Sequence, residues 1–506
     1  MLDKIKVASI KILNNPLTFW LLISFVYILS RIATWGYPFD SDHWIFYYVG
    51  KIWAEGGSLY VDAWDHKPPL IFLFNGLMHL ILGDSIILHR VWLTLLSFVD
   101  IFLFYKILKI IVPKLFNKIK TLDESDLAIK VGLILYVFLR NLSQFTSSGN
   151  NTENYGLIFI LLMWLSYLSF RKDNKWWKML LAGFFCSILF FLKGNFILLG
   201  LPIGLILLLD NLKSIRKFFG YGVIFAMPII AHTMAWIYYF SSQGTLEDFL
   251  IATFKFSGKY SGSAWSGDLS NNIMLLLVTL VLIVPVLILF IFYLKDYKNN
   301  IKNKEYIFIG SSFIAGLGLT FGVGSFYSYY FEIIMPVIVL IVVYVLFNLR
   351  YQKKFWKLFI IVCLSASLLF SYAISLKQLF NSLGGVVQAE ALEYQEISKY
   401  VKDNTNENEK VFCYDYSAVF YRLANRDSGS RFISASVLLL EYRDNYGFNF
   451  NKIFIEDMEK NKTKYVITYT DRDSLYYDNK PLVDYFDSHY VLEKKFNSLE
   501  VLRRKN

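Results

Sequence analysis

The sequence predicts a multi-pass α-helical membrane protein of about eleven spans, followed by a small α/β domain outside the membrane. Hydrophobic residues make up 56% of the 506-residue chain and charged residues only 18%, whereas about a quarter of the residues of soluble domains are charged. The apolar residues fall in runs of about 18 to 24, the length that crosses a hydrocarbon core about 30 Å thick. From residue 387 these runs give way to short alternating helix and strand patterns. The composition excludes a disordered chain and argues against an ordinary soluble enzyme.

The positive charge of the chain is distributed unevenly. The formal net charge is +11, with 33 basic against 20 acidic residues up to residue 386 and 18 basic against 20 acidic from residue 387. Basic residues concentrate in the cytoplasmic loops of membrane proteins. The excess therefore indicates orientation in a membrane, with lipids as its surroundings, and we expect no nucleic-acid partner.

The first apolar run covers residues 17–35 and follows three lysines without a small-x-small cleavage pattern, which favours a retained signal anchor. Ten further spans are predicted at 86–105, 129–145, 154–170, 178–193, 196–210, 218–240, 272–294, 306–324, 331–348 and 356–376. With eleven spans, the basic loops 106–130, 171–178, 210–217, 295–304 and 350–357 share one side with the N-terminus. That side is predicted to be the cytoplasmic side of the plasma membrane.

The opposite, extracytoplasmic side then receives the loops 36–85, 146–153, 241–271 and 325–330 and the C-terminal segment 387–506. We therefore predict a transmembrane catalytic domain over 1–386 and an extracytoplasmic α/β domain over 387–506. Within the first outer loop, Pro69–Leu82 would be about 21 Å long as a helix, too short to cross the membrane. It is predicted to be an interfacial helix.

The C-terminal segment shows helix and strand patterns in alternation. Helices are predicted at 389–403, 416–424 and 449–461, and strands at 411–414, 465–470 and 490–496.

The first outer loop, 36–85, also carries the densest set of side chains capable of chemistry. They are Asp40, Asp42, His43, Glu55, Asp62, Asp65, His66 and Lys67, and Pro68 and Pro69 follow them. Acids and a lysine beside a membrane suggest a substrate with a charged headgroup, although a solvated loop with a Pro-Pro turn explains the same composition. Because the prolines fix the backbone, they hold Lys67 at the entry to the interfacial helix, where a cation could bind a lipid phosphate.

The loop contains Asp42, Gly56-Gly57 and the segment Asp62-Ala63-Trp64-Asp65-His66-Lys67-Pro68-Pro69. This spacing resembles the GT-C superfamily of membrane glycosyltransferases, in the branch that includes protein O-mannosyltransferases and the lipid A aminoarabinose transferase. Arg90 stands where that family commonly has an arginine at the start of its second span. Two features depart from the family pattern: His43 replaces the usual Glu, and the segment 326–332 lacks the His-Tyr pair often seen there.

The resemblance implies a GT-C fold and transfer of a sugar, usually with inversion, from a polyprenyl-phosphate donor on the outer face. The acceptor would be a protein, a lipid or a glycan. Such a reaction needs a general base for the acceptor hydroxyl and cations for the departing phosphate. Under this reading Asp42 is the base. Asp40 is an alternative base or a helper, or else it only caps the next helix.

The resemblance also implies a set of substrate contacts, for which we expect Lys67, Arg90, Lys193, Glu153, His66 and Asp65. The three cations would contact phosphate. Lys193 is equally well explained as an anchor at the membrane interface, and the same alternative is open for Arg90. Glu153 would position the acceptor or a metal, or else serve only as a first-turn acid of its helix.

No cofactor is required by the sequence. A divalent cation is compatible with His43 and His66 beside the acids of the loop, but no His-x-x-x-His or cysteine spacing predicts a metal site. The loop 241–271 either closes over a substrate or simply connects two spans.

Two other functions remain open. A transporter or flippase for a lipid-linked or small polar substrate would place ionisable groups near mid-membrane, and Asp100 and His232 are the candidates within spans. A non-catalytic surface protein that binds a partner through its outer domain is the third reading.

Overall fold

The computed structural model describes residues 15–35, 39–115, 122–146, 149–263, 284, 286–321, 327–348, 389–415, 418–471 and 475–505, with isolated positions between 365 and 381. The described residues group into two compact units. The first, here the helical unit, lies within 1–38, 90–234 and 266–384. The second, here the mixed unit, lies within 39–89, 235–265 and 385–506. The first outer loop is therefore grouped with the C-terminal segment, so these units are divided differently from the predicted domains.

Helices dominate the first 350 residues. They are α1 Pro16–Thr34, α2 Ser41–Ala54, α3 Pro69–Leu82, α4 Ile86–Leu115, α5 Leu122–Arg140, α6 Thr152–Asp173, α7 Trp176–Leu192, α8 Leu201–Asp210, α9 Ile215–Ser242, α10 Leu246–Leu250, α11 Ser257–Ser263, α12 Lys304–Phe321 and α13 Met335–Asn348. A 3₁₀ helix at Gly194–Gly200 precedes α8, another at Ser328–Ile334 precedes α13, and a π-helical segment at Ile251–Phe256 joins α10 to α11. Shorter helical stretches lie at Ser143–Thr146, Val286–Lys295 and Tyr297–Asn300.

Among the described residues, three helices are long and apolar enough to cross a membrane: Thr152–Asp173, Ile215–Ser242 and Ser328–Asn348. Most other predicted spans coincide with apolar helices that are shorter or carry more charge. The predicted span 356–376 and the first half of 272–294 fall mainly outside the described residues. The number of spans therefore stays a prediction.

The predicted span 196–210 is divided in the structure. The 3₁₀ helix Gly194–Gly200 ends where α8 begins, and Pro202 occupies the first turn of α8. Proline is favoured in a first turn, where its missing N–H costs no hydrogen bond. The division thus follows from a local signal that hydropathy alone does not show.

Close helix contacts in the helical unit depend on small residues. A Cβ at Gly183 would lie 2.0 Å from the carbonyl oxygen of Phe225, so the absence of a side chain lets α7 approach α9. Small residues at such contacts are typical of helix packing in membranes.

The C-terminal part of the mixed unit contains helices and a four-stranded sheet. Its helices are α14 Ala389–Asp403, α15 Val419–Ala424, α16 Ala435–Arg443, α17 Phe450–Lys460 and α18 Lys480–His489, with a 3₁₀ turn at Leu475–Asp478. Its strands are β1 Val411–Cys413, β2 Tyr465–Tyr469, β3 Tyr490–Lys495 and β4 Leu499–Arg504. The predicted helices 389–403 and 449–461 and all three predicted strands are present, whereas α16, α18 and β4 were not predicted.

The strand order of the sheet is β1-β2-β4-β3. β1 and β2 are parallel, with Val411 opposite Tyr465, and the other two pairs are antiparallel. β1 is wholly buried, whereas most of β3 is at least partly exposed and ends in Lys494 and Lys495. Lysines on an edge strand discourage pairing with other chains.

Trp64 attaches the first outer loop to this C-terminal part. Its backbone N–H donates to the carbonyl of Arg431 at 2.8 Å, and it forms an isolated β-bridge with Phe432. Its ring packs edge-on against Phe450 at 5.0 Å and Phe256 at 5.2 Å between centroids. One aromatic cluster therefore joins all three chain segments of the mixed unit.

Candidate functional site

The proposed base lies in the first turn of α2. Asp40 is the N-cap of this helix, and its Oδ1 accepts a hydrogen bond from the backbone N–H of His43 at 2.9 Å. Asp42 follows in the first turn and is partly exposed, where a negative charge is favoured by the helix dipole. Asp40 therefore caps α2, as one of its two predicted roles requires. The cap also stabilises the first turn, which contains Asp42.

Helix α2 packs closely against α3 through two glycines. A Cβ on Gly50 would lie 2.6 Å from the carbonyl oxygen of Phe72, and one on Gly76 would lie 2.8 Å from that of Gly50. The two backbones can therefore touch. Because α3 starts immediately after Pro68, this contact also fixes the segment that carries Lys67 relative to α2.

A tight turn at Tyr60 positions Lys67 just before the start of α3. Tyr60 adopts a left-handed φ of 70°, and its N–H donates to the carbonyl of Ala63 at 3.0 Å. The Tyr60 hydroxyl donates to the carbonyl of Lys67 at 2.8 Å. The Lys67 ammonium then lies 5.9 Å from the centre of the Phe46 ring. Phe46 stands one turn after Asp42 on the same face of α2, so Lys67 lies against the face that carries the proposed base.

Asp65, His66 and Lys67 contact one another. The Lys67 ammonium is 2.7 Å from Nε2 of His66, and Nδ1 of His66 is 3.6 Å from Oδ2 of Asp65. Oδ1 of Asp65 accepts from the backbone N–H of Lys67 at 3.0 Å. Burial disfavours the charge of Asp65, but the neighbouring His66 and Lys67 outweigh that effect and lower its pKa to about 2. Asp65 therefore stays ionised over the physiological range.

In the helical unit, Glu153 and Lys193 form a salt bridge of 2.7 Å. Glu153 is 1% exposed and lies in the first turn of α6, after the N-cap Asn151. Lys193 is the C-cap of α7, and its ammonium also sits 3.7 Å from the ring centre of Tyr330. The cation therefore points into the protein, which does not fit the reading of Lys193 as an interfacial anchor.

Arg90 lies near the start of α4 and is partly buried. It interacts electrostatically with Arg31, a like charge that is itself 3% exposed. Two cations placed close together disfavour each other unless anionic groups lie nearby.

The sequence analysis missed a buried cluster of charges in the helical unit. Nε of Arg140 lies 3.0 Å from Oδ2 of Asp100, and its Nη1 lies 2.7 Å from Oε1 of Glu332. The Tyr136 hydroxyl donates to Asp100 at 3.1 Å, and Arg31 interacts electrostatically with both acids. The signal was present, because Asp100 is an isolated charge within an apolar run, but its partners are distant in sequence.

The predicted site residues therefore fall into two sets, one in each unit. The mixed unit holds Asp40, Asp42, Asp65, His66 and Lys67, of which the last three are in direct contact. The helical unit holds Arg90 and the paired Glu153 and Lys193.

No group of three or more His, Cys, Asp or Glu side chains is placed to hold a metal ion within the described part of the chain. His43, one of the two histidines considered for such a site, is buried and stacks on Phe39 with ring centres 3.6 Å apart. The other, His66, lies against Lys67, a cation that disfavours a metal ion.

No family model and no curated protein matches the sequence. Solved structures do match the fold. ArnT from Cupriavidus metallidurans bound to undecaprenyl phosphate has a TM-score of 0.57 at 11% identity, over 96% of this chain and 97% of that chain. The same protein in its apo state has a TM-score of 0.55 at 11% identity, over 96% of this chain and 98% of that chain. The oligosaccharyltransferase of Archaeoglobus fulgidus in its apo form has a TM-score of 0.52 at 11% identity, over 90% of this chain and 70% of that chain.

Both proteins are members of the GT-C superfamily. The similarity extends over nearly the whole chain, so this protein has the fold of these membrane proteins, the GT-C fold that the first outer loop predicts.

Proposed function

We propose that this protein is a membrane glycosyltransferase that moves a sugar from a polyprenyl-phosphate donor to an acceptor on the extracytoplasmic face. The observation that carries the proposal is the GT-C fold over 96% of the chain, shared with a protein solved bound to undecaprenyl phosphate. Shared fold alone does not fix function. The support from this chain's own residues is a carboxylate in the first turn of α2 with a lysine against the same helix face.

The chemistry assigns a different task to each of these groups. Asp42 takes the proton of the acceptor hydroxyl as that oxygen attacks the anomeric carbon from the side opposite the phosphate, which inverts the configuration. The bond between the anomeric carbon and the phosphate oxygen breaks, and Lys67 stabilises the negative charge that develops on the departing lipid phosphate. Asp40 helps by capping α2 and so fixing the turn that carries Asp42.

The residues of the helical unit have secondary tasks in this proposal. Arg90 and Lys193 add positive charge for the phosphate, and Glu153 positions the acceptor or holds Lys193 in place. Asp65 and His66 belong to the substrate-binding set through their contact with Lys67. The acceptor is a protein, a lipid or a glycan.

The contacts inside the mixed unit support the proposed orientation. Trp64 of the first outer loop pairs with Phe432 of the C-terminal segment, and Arg422 donates to the carbonyl of Asp84 at 2.9 Å. Segments that touch in this way belong on the same side of a membrane. The distribution of basic loops favours the extracytoplasmic side for these segments and the cytoplasm for the N-terminus.

The test is binding of undecaprenyl phosphate to the purified protein in lipid nanodiscs, followed by mass spectrometry of cell-surface glycans after deletion of the gene. We expect saturable binding that Lys67→Ala weakens, with Lys51→Ala in the same unit as the matched control, and loss of one glycan species in the deletion strain. Absence of binding, or equal binding by wild type and Lys67→Ala, would contradict the proposal.

A second candidate function, a transporter or flippase, is favoured by the buried charges Asp100, Arg140 and Glu332. Ionisable groups inside membrane helices commonly mark transport pathways. The two functions differ in their product, because a transporter moves its lipid-linked substrate unchanged. Release of free undecaprenyl phosphate from a labelled undecaprenyl-phosphate sugar therefore supports the enzyme, and relocation of the intact donor across a vesicle membrane supports the transporter.

A further inference from the structure

The backbone around Lys67 is held from three sides. The carbonyl of Lys67 accepts from the Tyr60 hydroxyl at 2.8 Å, and its N–H donates to Asp65 at 3.0 Å. The carbonyl of His66 accepts from the Ser257 hydroxyl at 3.0 Å. Pro68 follows directly. With the backbone fixed in this way, the direction of the ammonium depends on the flexible Lys67 side chain alone.

The His66 ring restrains that side chain. An ammonium group only donates hydrogen bonds, so Nε2 of His66, at 2.7 Å from Nζ of Lys67, must be the acceptor. The proton of a neutral ring then resides on Nδ1, which faces Oδ2 of Asp65 at 3.6 Å. A carboxylate beside one ring nitrogen sets the tautomer and orientation of a histidine. The side chain of Asp65 is only 8% exposed, so its position is well defined.

Aromatic side chains fix the plane of the same ring. Tyr260 lies 5.3 Å and Phe256 5.7 Å from His66 between ring centres, and both belong to the mixed unit. The ring is therefore restrained by two tilted aromatic contacts and by the carboxylate of Asp65 near Nδ1. Such support from neighbouring groups is what keeps a binding side chain in its working geometry.

We propose that His66 and Asp65 are positioning residues for Lys67: Asp65 orients the His66 ring, and Nε2 of that ring holds the Lys67 ammonium in the direction of the lipid phosphate. This inference rests on the proposed function, because it takes Lys67 to be the phosphate contact. It deepens that function by assigning to the two neighbouring side chains an effect that reaches the ligand only through Lys67.

Two substitutions at His66 separate positioning from packing. His66→Phe keeps a flat ring against Tyr260 and Phe256 but removes the acceptor, whereas His66→Gln supplies an amide oxygen that accepts from the ammonium. We expect His66→Phe to weaken binding of undecaprenyl phosphate about tenfold, because the unrestrained Lys67 side chain must then be ordered when it binds the phosphate. His66→Gln should recover most of the affinity, and Asp65→Asn should cause a smaller loss.

A double-mutant cycle with Lys67→Ala shows whether the effect passes through Lys67. In the Lys67→Ala background, His66→Phe should leave the remaining affinity unchanged, since no ammonium remains to be positioned. A similar loss in both backgrounds, or wild-type affinity of His66→Phe alone, would overturn the positioning role while leaving the proposed function intact. Lack of binding by the wild-type protein would instead overturn the proposed function and this inference with it. The control for folding is that every variant retains a cooperative thermal unfolding transition in nanodiscs at a temperature above that of the binding measurement.

Discussion

The Lys193 ammonium lies 2.7 Å from Oε1 of Glu153, a carboxylate that is only 1% exposed. The pair joins the C-terminal end of α7 to the first turn of α6. Removing one member of a buried ion pair leaves the other charge uncompensated, which is strongly destabilising. The same pair thus matters for stability as well as for the proposed phosphate contact.

Lys193→Met should therefore lower the free energy of unfolding by about 3 kcal/mol. The double variant Glu153→Gln with Lys193→Met should recover most of this loss, because no buried charge remains. The matched control is Lys175→Met, since Lys175 is 61% exposed and lies 4.0 Å from Asp173, a surface pair worth about 0.5 kcal/mol or less. Denaturant unfolding in nanodiscs measures the free energy of unfolding of all three variants. Equal effects of Lys193→Met and Lys175→Met would show that the pair of Glu153 and Lys193 does not stabilise the fold.

Asp42 and Asp40 should respond differently to loss of charge. Asp42→Asn should reduce sugar transfer by about 100- to 10,000-fold, the usual contribution of a general base. It should leave undecaprenyl phosphate binding unchanged and lower the free energy of unfolding by no more than about 0.5 kcal/mol, the contribution of the helix dipole. Asp40→Asn should retain activity, because Asn caps a helix as well as Asp does, whereas Asp40→Ala should cost about 1 kcal/mol of stability. Full transfer by Asp42→Asn together with loss in Asp40→Asn would make Asp40 the base.

The sequence predicted the elements that neighbouring residues determine, whereas it missed elements that depend on residues distant in the chain. The helix Pro69–Leu82 was predicted with its observed bounds, because Pro68 and Pro69 mark its start and Gly83 its end. β4 was missed because it pairs with β2 and β3, and its own sequence, Leu499–Arg504, alternates weakly. Its pairing partners decide its conformation, and they are not visible in a local window.

The candidate site shows the same division. Lys67 was predicted from its neighbours Pro68 and Pro69, and its contact with His66 involves adjacent residues. The partners of Arg140, by contrast, are Asp100 and Glu332, which are 40 and 192 residues away. Charge within an apolar run indicates that partners exist, but tertiary packing selects them.

Arg140 is expected to be the most sensitive residue of the helical unit. It bonds to Asp100 and Glu332, and all three side chains are at most 1% exposed. Arg140→Met should lower the free energy of unfolding by about 3 to 5 kcal/mol, because it leaves buried carboxylates without their main cation. A triple variant that adds Asp100→Asn and Glu332→Gln should be more stable than Arg140→Met alone. Unfolding of Arg140→Met indistinguishable from wild type would show that the cluster contributes little.

Asp65 should make the free energy of unfolding depend on pH below about pH 4. Its pKa is lowered from 3.8 to about 2 in the folded protein, so the folded state favours the charged form more than the unfolded state does. The resulting stabilisation, about 2 kcal/mol, is complete above about pH 4 and is lost as the pH falls through about 2. Asp65→Asn should therefore be less stable than wild type at pH 7, and the difference should shrink as the pH falls through about 2. Unfolding measured across this range, with the exposed Asp484→Asn as control, checks the sign.

The orientation of the chain can be tested with single cysteines. Cys186 and Cys413 are buried. Replacing the three cysteines Cys186, Cys363 and Cys413 by alanine gives a cysteine-free background. Lys452, in the C-terminal part, is 77% exposed, and Lys175, in a basic loop, is 61% exposed. A membrane-impermeant maleimide applied to intact cells should label Lys452→Cys, whereas Lys175→Cys should react only after lysis. Because the two positions are predicted on opposite sides by the distribution of basic residues, the reverse labelling pattern would invert the topology, and equal labelling would show that the two positions share a side.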